Sequence, residues 1–175
     1  MAESDLNKIL SKSPSVFVVC KKDGPDETLV KICGDLKKSF KKICVVTVNK
    51  PYSFLIKEFA RKKINSSSFY FVDCISATNM EQVPSKQCTY ISSPKALTEL
   101  AIALNNLSKD VDLVVIDSFS GLAFHNELFF TYRFVNSIIS KFRKKSIKSI
   151  CLVVGETKKE ILADISLFAD KIIAI

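Results

Sequence analysis

The run Val111-Asp-Leu-Val-Val-Ile-Asp117, continued by Ser118-Phe-Ser120-Gly-Leu122, decides the fold. Its apolar β-formers do not alternate with polar residues, which marks a strand covered on both faces. Helical spacing precedes it: Leu97, Leu100, Ala101 and Leu104 form a stripe, with Ser93 as the expected cap and Pro94 at the first helical position. A polar-aromatic loop should follow it, then Asn126 as a cap and a long helix to about Lys145.

The pattern repeats in both directions. Upstream, strands are expected at Ser15–Cys20, Ile43–Val48, Phe69–Asp73 and Cys88–Ser92, with helices near 5–11, 27–40 and 52–63 and a loop over 76–86. Downstream, Ser149–Val154 reads as a strand, Lys158–Phe168 as a helix and Lys171–Ile175 as a last strand. This alternation predicts one α/β domain over residues 1–175: a three-layer α/β/α sandwich around a mainly parallel sheet of about seven strands.

Composition narrows the class. A chain of 175 residues, 47% hydrophobic and 25% charged, can bury a core, which excludes disorder. No apolar run approaches the roughly 18 residues of a membrane span. The acidic opening Met1-Ala2-Glu3-Ser4-Asp5 is unlike a secretory signal, so a cytoplasmic location is expected. The six cysteines, Cys20, Cys33, Cys44, Cys74, Cys88 and Cys151, form no CxxC pair. They are expected as buried thiols in a reducing compartment rather than as a zinc site or disulfide framework.

The second half resembles the KaiC-type branch of the RecA superfamily. The resemblance rests on Ile91-Ser-Ser-Pro-Lys-Ala-Leu97, on the strand ending in Asp117 with its Ser118-Phe-Ser120, and on the closing Leu167-Phe-Ala-Asp170-Lys-Ile-Ile-Ala-Ile175. It implies that Asp117 stands where the family keeps its Walker B aspartate, with Ser118 beside it, and that the domain assembles with protein partners or with itself. The chain departs from the family twice. A phosphate-binding loop needs glycines and a Lys-Ser/Thr pair after the first strand. That place reads Lys21-Lys-Asp-Gly-Pro-Asp-Glu-Thr28, and no such motif occurs anywhere in a chain of only four glycines. After the second strand, where the family places a water-polarising glutamate, stand Asn49 and Lys50. The expectation is a degenerate RecA/KaiC-like domain, a pseudo-ATPase with no catalytic residues and no cofactor, acting as a regulatory or assembly module.

Two other classes compete. Ligands of parallel sheets bind beyond the carboxyl ends of the strands. Asp73, Asp117 and Glu156 fall there and could hold a metal ion or support a rebuilt enzymatic or nucleotide site; alternatively they cap neighbouring helices. His125, with Ser118, Ser120 and Asp117 near it in sequence, lacks the elbow of a hydrolase triad. Aromatic residues crowd 119–132, and Phe124 or Phe129 are candidates for an exposed partner surface.

The formal net charge is +8. Its sources are Lys37, Lys38, Lys41 and Lys42, then Arg61, Lys62 and Lys63, then Arg143, Lys144, Lys145 and Lys148. Each run precedes a strand, so a parallel sheet gathers them on one edge. They could complement helix dipoles or form a basic rim for nucleic acid.

Overall fold

In the computed structural model, which describes residues 3–20, 25–79, 82–155 and 159–175, the apolar runs become seven parallel strands in the order β4-β3-β2-β5-β6-β1-β7. They are β1 Ser15–Cys20, β2 Ile43–Thr47, β3 Phe69–Asp73, β4 Cys88–Tyr90, β5 Leu113–Asp117, β6 Lys148–Val154 and β7 Lys171–Ala174. The helices are α1 Glu3–Lys12, α2 Pro25–Leu36, α3 Tyr52–Arg61, α4 Ser76–Asn79, α5 Leu97–Leu107, α6 Phe119–His125, α7 Leu128–Lys144 and α8 Lys159–Ser166.

The period of two within each strand sends alternate side chains to opposite faces. Ile43 and Val45, Phe69 and Phe71, and Leu113 and Val115 pack with Leu10 of α1, Leu29 and Cys33 of α2, and Leu55 and Phe59 of α3. Cys44 and Val46, Val72, and Val114 and Ile116 pack with Leu100 and Leu104 of α5, Leu122 of α6, Ile138 and Phe142 of α7, and Ile165 of α8. The sheet is thus a middle layer between two helical ones. The expected three-layer architecture and parallel sheet are what the chain forms. No helix among the described residues is long and apolar enough to cross a membrane.

Several local expectations fail for physical reasons. Helix α5 starts at Leu97 rather than at Pro94, because residues 93–96 close a turn: Ala96 N donates to Ser93 O at 3.0 Å and Lys95 N to Ser93 Oγ at 3.0 Å. Residues 119–125 are helix α6 rather than loop, because Ser118 caps them by accepting from Gly121 N at 3.0 Å. Asn126 does not cap α7. It ends α6, and its amide donates to Leu122 O at 2.9 Å and Pro94 O at 3.1 Å. The segment 76–86 begins with the short α4.

Candidate functional site

Register brings the strand-end residues together. Thr47 at the end of β2 is paired with Asp73 of β3 on one side and with Asp117 of β5 on the other. Side chains at matched positions of parallel strands share a face, here the face covered by α1, α2 and α3. Two strand spacings separate the aspartates, about 10 Å between their α-carbons.

The two carboxylates differ in what they hold. Asp73 is fully buried, and its oxygens accept four hydrogen bonds. Oδ2 takes Tyr52 N at 2.6 Å and Ser76 Oγ at 2.6 Å; Oδ1 takes Ile75 N at 2.8 Å and Ser76 N at 2.9 Å. It therefore joins the start of α3 to the start of α4. That suits both helices, because Pro51 supplies no side-chain cap to α3 and a carboxylate complements the positive end of a helix. Every strong acceptor direction of Asp73 is occupied by protein.

Asp117 is almost as deeply buried, and its backbone carbonyl accepts from Val48 N at 2.9 Å. The Asp117–Ser118 peptide is cis. The Asp117 charge reaches three thiols: burial first, and Asp117 second, push Cys20 up to about 11 and Cys33 higher still. Burial likewise raises Cys151, with Asp117 a smaller contributor. These thiols stay protonated at neutral pH and are poor ligands or nucleophiles.

Beside Asp117, Ser118 Oγ also receives the Asn49 amide at 3.2 Å. Asn49 thereby bridges the end of β2 to the start of α6. Lys50 lies over the Phe54 ring, 5.2 Å from its centroid, and its carbonyl accepts from Thr47 Oγ1. Ser120 Oγ is engaged with β6, donating to Val154 O at 3.1 Å and accepting from Val154 N at 2.9 Å. It is not directed at His125, which sits against the exposed Phe124 ring at the far end of α6. Glu156 and residues 21–24 lie outside the described residues. Among the described residues, no group of three His, Cys, Asp or Glu side chains is placed to hold a metal ion.

Helices α6 and α7 carry exposed apolar side chains: Phe124 is 85% exposed and Phe129 61%, with Phe130 half exposed. Leu167, after α8, is 83% exposed and lines with Phe129, Tyr132 and Phe168 a hollow of about 370 Å³. Sequence reasoning named Phe124 and Phe129 but missed Leu167, which no periodicity set apart from the α8 core stripe. It also missed α6, for which the serine three residues before Gly121 was the available signal.

Seven parallel strands with helices on both faces make a RecA/KaiC-like fold. The solved structures agree. The flagellar accessory protein FlaH from Methanocaldococcus jannaschii matches 99% of this chain with 77% of its own, at a TM-score of 0.61 and 17% identity. A KaiC-like protein from Pyrococcus horikoshii matches 93% of this chain with 71% of its own, at a TM-score of 0.60 and 14% identity. No protein-family model matches the chain, and no curated protein does.

Proposed function

We propose that this chain is a non-hydrolysing RecA/KaiC-like domain that works as a regulatory or assembly module by binding protein. The observation that carries the reading is Asn49. It stands where the related ATPases keep a carboxylate to polarise water, and its amide is spent on Ser118 Oγ at 3.2 Å. Phosphoryl transfer needs phosphate positioning, metal and an oriented water together. The sequence has no phosphate-loop motif, and of the three strand-end acids only Asp117 matches the family pattern. What the domain offers instead is exposed apolar side chains, Phe124 on α6 and Phe129 and Phe130 on α7, with Leu167 lining a hollow together with Phe129. Surfaces of this kind mark interaction sites. Self-association is the first partner to consider.

Two measurements test the reading. Thermal unfolding with ATP and magnesium near 1 mM should show no shift, whereas a ligand at about 100 times its Kd stabilises by about 2.7 kcal/mol. A clear shift that Asp117→Asn abolishes would mean a nucleotide site persists. Sedimentation over a concentration series should show a mass that rises, and that Phe124→Asp with Phe129→Asp returns to the monomer. A monomer at every concentration that also fails to bind a RecA-type ATPase would sink the interaction reading.

A further inference from the structure

The basic edge divides into two parts with different roles. On the β6 side, Arg143 donates to Phe168 O at 2.6 Å and to Asp170 Oδ1 at 2.9 Å. Lys145 donates to Ser108 Oγ and to Asn105 Oδ1. These cations tie α7 to α5 and to the approach to β7. On the other side, a groove of about 620 Å³ opens between α2 and the turn that follows α3. Its walls carry Lys31, Lys37, Lys38, Lys62 and Lys63, over a floor that includes Val30, Gly34 and Ile64.

Two acids, Glu27 and Asp35, also line the groove. They flank Lys31 at i,i+4 spacing on α2 and together with it leave one negative charge, so the lining as a whole carries five lysines against two acids. Glu27 is ten residues from Lys37, about 15 Å along the helix axis. Lys37, Lys38, Lys62 and Lys63 line it as well, and Lys38, Lys62 and Lys63 are exposed. Helix-dipole complementation favours cations at these two helix ends, but it does not require four of them to line one groove. The last turn of α2 contains no basic residue, and Lys37 and Lys38 follow it. The last turn of α3 has Arg61, already paired with Glu58 at 2.6 Å.

We infer that this groove binds the phosphate backbone of duplex nucleic acid. The lining selects that occupant. Lysine ammoniums meet phosphates as point charges and give contacts independent of base sequence. Among the described residues no aromatic side chain lines the groove, whereas single-strand binding depends on stacking platforms. No arginine among the described residues lines it either, and planar bidentate recognition of peptide carboxylates is arginine chemistry. Lys41, exposed at the approach to β2, extends the positive edge beyond the groove, while its neighbour Lys42 is paired with Asp110 at 3.9 Å. Such an edge suits a polyanion with one charge per about 1.7 Å of axis better than a short acidic segment. This surface is separate from the aromatic face, and its occupation does not depend on protein binding there.

Fluorescence anisotropy of a labelled duplex, titrated with the whole chain at about 50 to 200 mM salt, tests the inference. Four phosphate contacts predict a log–log salt slope of about −3.6 and an affinity loss of about 100-fold over that range. Lys37→Gln with Lys38→Gln, and Lys62→Gln with Lys63→Gln, should each reduce the slope by about 2 and weaken binding about tenfold or more. Lys95→Gln with Lys159→Gln removes the same charge from the opposite edge and should leave both quantities nearly unchanged; thermal melts establish that every variant is folded. The inference is overturned if the groove variants bind duplex like the parent, or if the control pair loses as much. Tighter binding of a single strand or of polyglutamate than of the duplex would overturn it equally.

Discussion

Asn49 lies against Gly121 so closely that a β-carbon on the glycine would stand 2.4 Å from Asn49 Oδ1 and 2.6 Å from Val48 Cγ2. The absence of a side chain is what lets the end of β2 meet α6, and the hydrogen bond that the Asn49 amide donates to Ser118 Oγ fastens the contact. Asn49 could swing outward, but Val48 is buried and has no such freedom. Gly121→Ala should therefore overpack this junction and cost about 1–3 kcal/mol. For a domain of this size that is a fall in Tm of about 2–10 °C, readable by calorimetry. An unchanged Tm would show that α6 has room to move away.

Asp73 gives the second prediction. Removing its carboxylate strands Tyr52 N, Ile75 N, Ser76 N and Ser76 Oγ, all of which it now satisfies. Losing hydrogen bonds to a charged acceptor while leaving buried donors unpaired places Asp73→Ala at about 3–4 kcal/mol of destabilisation. Denaturant unfolding measures this, and magnesium should not alter the parent's midpoint. A near-neutral alanine variant, or a midpoint raised by magnesium and lowered again in Asp73→Ala, would reassign this carboxylate from helix cap to metal ligand.

How much of this was legible in the sequence depends on range. Ser15–Cys20 and Phe69–Asp73 declare their strands to the residue, because runs of β-formers bounded by turn or polar residues carry their own signal. The strand that ends in Asp117 was findable because its apolar run is closed by an acid and a serine. What failed needed a distant partner. Asn126 reads as a cap from its neighbours, but it is drawn to Pro94 O, 32 residues away. Arg143 and Lys145 read as rim charges, and the acceptors that engage them come from the approach to β7 and from α5. Likewise, four hydrogen bonds on Asp73 come from two helix starts that sequence alone cannot aim at one carboxylate.

Two helix ends offer a direct gain in stability. Lys63, after α3, has φ 57°, and Ser146, after α7, has φ 58°. Each closes its helix with a left-handed turn: Ile64 N donates to Phe59 O at 2.8 Å and Ile147 N to Phe142 O at 3.0 Å. Glycine occupies that region without the β-carbon penalty. Ser146→Gly should stabilise by about 0.5–1 kcal/mol after the entropy that glycine adds to the unfolded chain. The two sites are on different helices, so Ser146→Gly and Lys63→Gly should add. A loss of stability in either would mean the parent side chain supplies a contact worth more than the strain.

The thiols predict how the fold fails at high pH. From an ordinary value of 9.0, burial pushes Cys20 up to about 11 and Cys44 and Cys88 up to about 12; Cys33, Cys74 and Cys151 go further up. The unfolded chain therefore releases these protons first as pH rises, and the folded chain holds them. A raised folded pKa stabilises fully below pH 9.0 and loses that contribution between there and the folded values. Stability should be flat up to about pH 8 and then fall by roughly 1 kcal/mol per pH unit for each fully buried thiol. Urea midpoints across this range measure the slope, and Cys151→Ala should lower it by about one proton's worth even where it also lowers the midpoint. An identical slope in Cys151→Ala would mean that this thiol ionises as readily folded as unfolded, and the alkaline loss would then belong to other groups.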